Sequence, residues 1–170
     1  MTNIRPCRDD ELDAILAIVN AAAEVYRGAI PADRWHAPYM PRHELVGEIA
    51  AGVEFLGYEA DGALVGVMGI QARADLDLIR HAFVSPACQG GGVGSRLLEH
   101  LTRATTRRTL VGTWAAAEWA IGFYRRHGFA LVSPERKAEL LRTYWTIPEP
   151  QIEASVVLAN PPLDSAASRR

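Results

Sequence analysis

Four glycines fall within five residues, Gly90, Gly91, Gly92 and Gly94, inside the stretch Val84-Ser85-Pro86-Ala87-Cys88-Gln89-Gly90-Gly91-Gly92-Val93-Gly94-Ser95. An apolar strand pattern precedes this run and an apolar helix pattern follows it. Such a run can do chemistry with no side chain at all. Its backbone takes up positive φ without a Cβ penalty and lets a ligand come close. The N–H groups of the first helical turn, with the helix dipole behind them, then hold an anion such as a pyrophosphate. Two familiar phosphate loops do not fit. A Walker loop needs Gly-x-x-x-x-Gly-Lys-Ser/Thr, and no lysine follows here. A dinucleotide fingerprint needs Gly-x-Gly-x-x-Gly, and the glycines after Gly90 are not spaced that way. A tight turn without a ligand is the other reading.

The elements that must position this loop can be read from spacing. Residues 4–7 form a short edge strand. Asp9, Asp10 and Glu11 open a helix whose apolar stripe is Leu12, Ile15, Leu16 and Val19, ending at Tyr26-Arg27-Gly28. Residues 29–40 are a Pro-rich aromatic loop. Pro41 opens a second helix at its first position, with Leu45, Ile49 and Val53 as its buried face and Gly52 as its stop. Asp61-Gly62 between apolar runs 53–60 and 63–72 signals a hairpin. Residues 75–84 are a further strand; with strict alternation Leu78, Arg80, Ala82 and Val84 share one face, and Asp77 and His81 the other. A helix over 95–105, a strand over 109–115, a helix over 118–127, a strand over 129–133, helical character over 134–144 and a strand over 154–159 complete the pattern. The fold class is α+β (mixed α/β), one domain over residues 1–160 with a central sheet and helices on both faces. Residues 161–170 are expected to be a disordered tail.

Composition narrows the partners. The 170 residues are 49% apolar and 22% charged, with a net charge of −2. That balance gives no reason to expect nucleic acid or an anionic membrane as partner. No apolar run approaches the roughly 20 residues that span a bilayer. The two cysteines, Cys7 and Cys88, share no metal-ligand spacing with the five histidines, so no metal is expected. A reduced, cytoplasmic location is the expectation.

Gln89-Gly90-Gly91-Gly92-Val93-Gly94 resembles the acyl-CoA signature of the GNAT superfamily, Gln/Arg-x-x-Gly-x-Gly/Ala. Phe83-Val84-Ser85-Pro86 before it and the Leu97-Leu98 helix after it are usual in that family. Ala120-Ile121-Gly122-Phe123-Tyr124-Arg125-Arg126-His127-Gly128-Phe129 resembles a second family motif, a helix carrying Phe-Tyr and closing in Gly-Phe. The resemblance covers roughly residues 2–160 and implies a GNAT-like fold, a mostly antiparallel sheet whose middle strands splay to admit pantetheine. It implies an N-acetyltransferase that uses acetyl-CoA as cosubstrate on a small soluble amine.

The resemblance also implies roles. Backbone groups of Phe83 and Val84 pair with pantetheine, and an N–H near Val84 polarises the thioester carbonyl. The N–H groups of Gln89, Gly90, Gly91, Gly92, Val93, Gly94 and Ser95 hold the pyrophosphate. Arg96, Arg103, Arg107 and Arg108 are read as a solvated face. Tyr124 protonates the departing thiolate; its other reading is an aromatic that anchors its helix. For the proton acceptor the strand offers Asp75, Asp77, Arg80 and His81, with Glu118 beyond it. His81 is the candidate, against the reading of a packed, hydrogen-bonded ring. Trp35, His36 and Tyr39 either line the acceptor pocket or pin down their own loop. Tyr144 and Trp145 either close that pocket or pack on the sheet. The family often has Asn seven positions before the tyrosine, and this chain has Ala117. A homodimer through an edge at Val156, Val157 and Leu158 is expected. The alternatives are a CoA-binding regulatory module without turnover, an acetyltransferase acting on a protein N-terminus or lysine, and an acyl-cysteine route through Cys88.

Overall fold

The computed structural model describes residues 3–163. The described chain forms two compact units, the first running to Thr106 and the second starting at Arg107. In the first unit the order is β1 (Asn3–Pro6), a 3-10 turn, α1 (Leu12–Ala22), a second 3-10 turn over Ala23–Gly28, α2 (Arg42–Ala50), β2 (Val53–Ala60), β3 (Ala63–Ala72), β4 (Asp77–Val84) and, past a short turn, α3 (Val93–Arg103). The four strands pair antiparallel in the order β1-β2-β3-β4. The β2–β3 hairpin turns on Asp61 at φ 50° and Gly62 at φ 80°, the two positive values that the Asp-Gly pair predicts.

The two faces of this sheet have different cover. Directly paired residues of antiparallel strands point to the same side. Val53, Phe55 and Val67 therefore share a face, where they pack with Ile15, Ile18, Val19, Met40 and Leu45 from α1, α2 and the segment between them. Tyr58 and Gly66 lie on the other face, under α3. A Cβ at Gly66 would stand 2.7 Å from Val93 Cγ1 and 3.2 Å from Leu97 Cδ1. Val93, Leu97, Leu98 and Leu101 are the buried stripe of α3.

The second unit holds β5 (Thr109–Trp114), α4 (Glu118–Arg126), β6 (Ala130–Leu131), α5 (Pro134–Tyr144), α6 (Glu149–Glu153) and β7 (Ser155–Asn160). Here β7 pairs antiparallel with β5 along its whole length and with β6 on its other side. Ser133 caps α5, its hydroxyl accepting from the Arg136 N–H at 3.4 Å, with Pro134 at the first helical position. Trp145 lies against Gly112 of β5, whose missing side chain leaves the indole 3.4 Å from where a Cβ would be.

Several expectations change. Pro41 is the N-cap of α2 and not its first residue. Ile49 is 41% exposed, because α2 is only nine residues long and Val53 already belongs to β2. The helix after the glycines starts at Val93, two residues early. The expected strand over 129–133 shrinks to two paired residues, and α6 was not foreseen. β7 is flanked on both sides, so Val156, Val157 and Leu158 are no open edge. Residues 161–163 carry no helix or strand, and the rest of the expected tail, 164–170, lies outside the described residues.

Charge also fixes the start of the chain. Arg5 reaches Glu11 Oε1 at 2.7 Å and Glu59 Oε2 at 2.7 Å, tying β1 to the first turn and to β2. Hydrogen bonding from Arg5, against the opposing effect of burial, holds the Glu11 carboxyl down at about 2; the Arg8 N–H adds to it. A depressed carboxylate stabilises the fold fully above its unfolded value, near 4.5, and loses that contribution as pH falls toward 2. Thermal unfolding followed by circular dichroism is expected to show Tm dropping over that window, with Glu11→Gln flattening this part of the profile. Gly66→Ala is expected to cost about 1–3 kcal/mol in denaturant unfolding, since the stiff Val93 side chain must give way.

Candidate active site

The glycine loop is built at the junction of β4 and α3. Gly90 and Gly92 sit at φ 82° and φ 81°. A Cβ at Gly90 would meet nothing within 4 Å, and one at Gly92 only the Arg96 guanidinium at 4.0 Å. Glycine is thus required by backbone conformation, and the space above it is open. Gly92 is the N-cap of α3 and no side chain caps this end. The N–H groups of Val93, Gly94 and Ser95 therefore face outward with the dipole of an eleven-residue helix behind them. A helix start of this kind can hold an anion such as a phosphate group.

Two side chains shape the loop. Gln89 Nε2 donates to the Val84 carbonyl at 3.1 Å, folding the loop against the end of β4. Arg96 Nη1 donates to Tyr58 Oη at 2.9 Å and lies 3.5 Å from the Gly91 carbonyl. Its position i+4 from Gly92 brings it back over the loop. Of the four arginines read as a solvated face, Arg96 stands beside the candidate anion site, and only its helical spacing from the glycines signalled this.

β4 itself is bulged. Gly69 pairs with Arg80 but Val67 pairs with Phe83, so His81 and Ala82 together oppose Met68. His81 takes φ 55°, in the left-handed region. The extra residue changes the phase of the strand. Arg80 and Phe83, three apart, now share the face of Val67 and Gly69, while Val84 pairs with Gly66 on the α3 side. Strict alternation therefore fails at His81. Its ring stacks on Phe55 at 6.3 Å and its Nε2 lies 3.3 Å from Glu48 Oε2, on the side of Arg80 and not opposite it. Asp77 is buried at the start of β4 on the α3 side, accepting from Thr105 Oγ1 at 2.8 Å.

The returned Phe83 ring meets Tyr39 at 5.8 Å and Tyr26 at 6.1 Å, both edge-on. Trp35 lies 6.0 Å from Tyr39, with Arg27 over its indole at 4.8 Å. The indole Nε1 is buried without a hydrogen-bond partner. Burial, then the nearby Tyr26 and Glu44, push the Tyr39 hydroxyl well above the ordinary phenol range, so it stays protonated. His36 is exposed and its Nδ1 contacts the Pro38 carbonyl at 2.9 Å, outside this cluster. Tyr26 was not singled out from sequence, because nothing local tells which aromatics of a loop converge.

In the second unit Tyr124 is buried in α4, its ring edge-on to Phe123 at 5.1 Å and to Phe129 at 5.6 Å. The Phe129 N–H returns to the Tyr124 carbonyl at 3.1 Å, and Gly128 at φ 87° makes that turn possible. Ala117, where the family often has Asn, is the fully buried N-cap of α4. Among the described residues no three His, Cys, Asp or Glu side chains are grouped to hold a metal, and no helix is long and apolar enough to cross a membrane.

The profile of the acetyltransferase (GNAT) domain matches residues 18–144, and the chain belongs to that family. The fold is similar to that of the PaiA N-acetyltransferase from Thermoplasma acidophilum, solved with coenzyme A, at TM-score 0.69 and 15% identity over 94% of this chain and 98% of that one. It is also similar to a GNAT-family acetyltransferase from Staphylococcus aureus Mu50, at TM-score 0.70 and 14% identity over 94% and 98%. The ribosomal-protein-S18-alanine N-acetyltransferase of Escherichia coli matches at TM-score 0.68 and 17% identity over 100% and 99%.

Replacing Gly92 by Glu puts a Cβ at φ 81° and a carboxylate on the anion cradle. Calorimetry is expected to show acetyl-CoA bound at least about tenfold more weakly, matching a loss of about 1.4 kcal/mol or more.

Proposed function

We propose that this chain is an N-acetyltransferase that moves the acetyl group of acetyl-CoA to the primary amine of a small soluble acceptor, by direct attack in a ternary complex. The observation that carries the reading is the uncapped start of α3 behind left-handed glycines at the end of β4, in a chain of the GNAT family. Bound acetyl-CoA supplies an acyl group activated as a thioester. In this reading residues 89–95 hold its pyrophosphate, Phe83 and Val84 pair with its pantetheine arm, and an N–H near Val84 faces the oxygen where negative charge develops. His81 takes the proton that an ammonium acceptor must lose before it can attack. Tyr124 gives its phenolic proton to the departing sulfur and is reprotonated from water. A phenol suits this step, since the unperturbed pKa values of phenol and thiol are roughly 10 and 8.5. Trp35, Tyr39 and the neighbouring His36 receive the acceptor.

The family match runs from residue 18 to 144, across the boundary between the units, which supports reading residues 1–160 as one functional domain. A cytoplasmic homodimer completes the proposal. The acceptor must be sought by experiment. A second reading, a CoA-binding regulator without turnover, draws on one observation: Ala117 is a buried methyl where an amide contact to the cofactor is usual in the family.

Free-thiol release from acetyl-CoA against an amine panel, with peptide and protein acceptors alongside, separates these readings. Turnover with small amines that Tyr124→Phe slows by about 10²-fold or more is the expected result. Binding without turnover on any acceptor would favour the regulator, and label passing only to peptide or protein would move the acceptor class to protein N-termini or lysines.

A further inference from the structure

We infer that Glu48 is a positioning residue for His81, the two forming a carboxylate–imidazole dyad set by the bulge of β4. The inference rests on the role proposed above for His81 as proton acceptor. Its starting point is a cost. A residue other than glycine at φ 55° is in an uncommon backbone conformation and persists only where its surroundings hold it. Here they do so from two sides. Phe55 of β2 stacks on the ring at an interplanar angle of 22°. Glu48 of α2 sets Oε2 3.3 Å from Nε2, while its Oε1 accepts from Arg80 Nη2 at 3.0 Å. Arg80 Nη1 in turn donates to Gln71 Oε1 at 3.2 Å, and Gln71 Nε2 to the Ala51 carbonyl at 2.9 Å, closing a chain from β4 back to the end of α2.

Such a chain does more than hold a bulge. Nε2 of His81 is buried, and Glu48 lies off the line of a good hydrogen bond in the resting state. When the ring takes up a proton the pair becomes an ion pair at 3.3 Å, in a site where both side chains are under 20% exposed. Nε2 is thereby committed to Glu48, and Nδ1 is the nitrogen that accepts the proton. The proton passes from the acceptor's ammonium to Nδ1, Glu48 stays ionised throughout, and the ring returns the proton to water after the product leaves. Burial works to raise the Glu48 carboxyl, but the His81 contact and the Arg80 charge outweigh it and hold it below its usual range, so it is a carboxylate when needed. Among the described residues the ring contacts are Glu48 from α2 and Phe55 from β2; Arg80 of its own strand is paired to Glu48, with the neutral Gln71 of β3 behind it.

The test reads which ring nitrogen carries the proton, and what turnover does. Nitrogen-15 NMR of the free protein is expected to show the neutral His81 ring protonated on Nε2 in wild type, and that preference lost in Glu48→Ala. In turnover Glu48→Ala is expected to lower kcat/KM for the acceptor about tenfold or more, with KM for acetyl-CoA unchanged and Glu48→Asp recovering part of the rate. A tautomer that ignores the loss of Glu48 overturns the inference, as does Glu48→Asp no faster than Glu48→Ala. If no acceptor supports turnover, the proposed function fails while the ring tautomer still decides the dyad.

Discussion

β4 carries one residue more than its partner β3 can match, and much of the first unit follows from where that surplus sits. A strand that kept its alternation through Arg80, His81 and Ala82 would send Phe83 toward α3 and leave Val84 on the side of α1. The bulge reverses both. Phe83 turns to Tyr26 and Tyr39, and Val84 ends the strand on the side from which the glycine loop departs. One local irregularity thus sorts an aromatic cluster to one face and the glycine loop to the other. The conformation that does so is held by a histidine in the left-handed region, which is uncommon for any residue but glycine. Its neighbours must supply what its backbone lacks.

The cradle is notable for how little formal charge it uses. The protein carries a net charge of −2, yet the reading proposed here has it receive a multiply charged anion. Backbone N–H groups at the start of α3 provide the positive end, and they keep their direction because α3 is anchored by Val93, Leu97, Leu98 and Leu101 and seated on a glycine of β3. Arg96 adds one guanidinium, itself tied to Tyr58 on the sheet beneath. Fixed dipoles on a packed helix need no reorganisation when a ligand arrives, which free lysines on a flexible loop would.

The second unit solves a different problem, holding one phenol in place. Tyr124 is wedged between Phe123 and Phe129, and the chain reverses at Gly128 so that Phe129 can return to it. β7 is enclosed by β5 and β6, and Trp145 fills the space left by Gly112. The indole therefore packs on the sheet, one of the two readings open to it.

Much of this was legible in the chain. Helical and alternating spacing marked α1, the β2–β3 hairpin, β5, α4 and α5 to within a few residues, because each rests on local periodicity and local turn chemistry. The glycines of the loop and the Phe-Tyr…Gly-Phe helix carried the family, since both need particular residue types at particular places. What depended on distant residues was not legible. The bulge at His81 has no glycine to announce it, and it arises from the register that β3 and β4 settle on together. Glu48, three residues from Leu45 on a short helix, reads as an ordinary surface glutamate until α2 is laid across the sheet. Pattern within a segment is a property of the chain, whereas the phase between segments is decided by packing, and in this protein packing sets the surroundings of the residues proposed to carry out the chemistry.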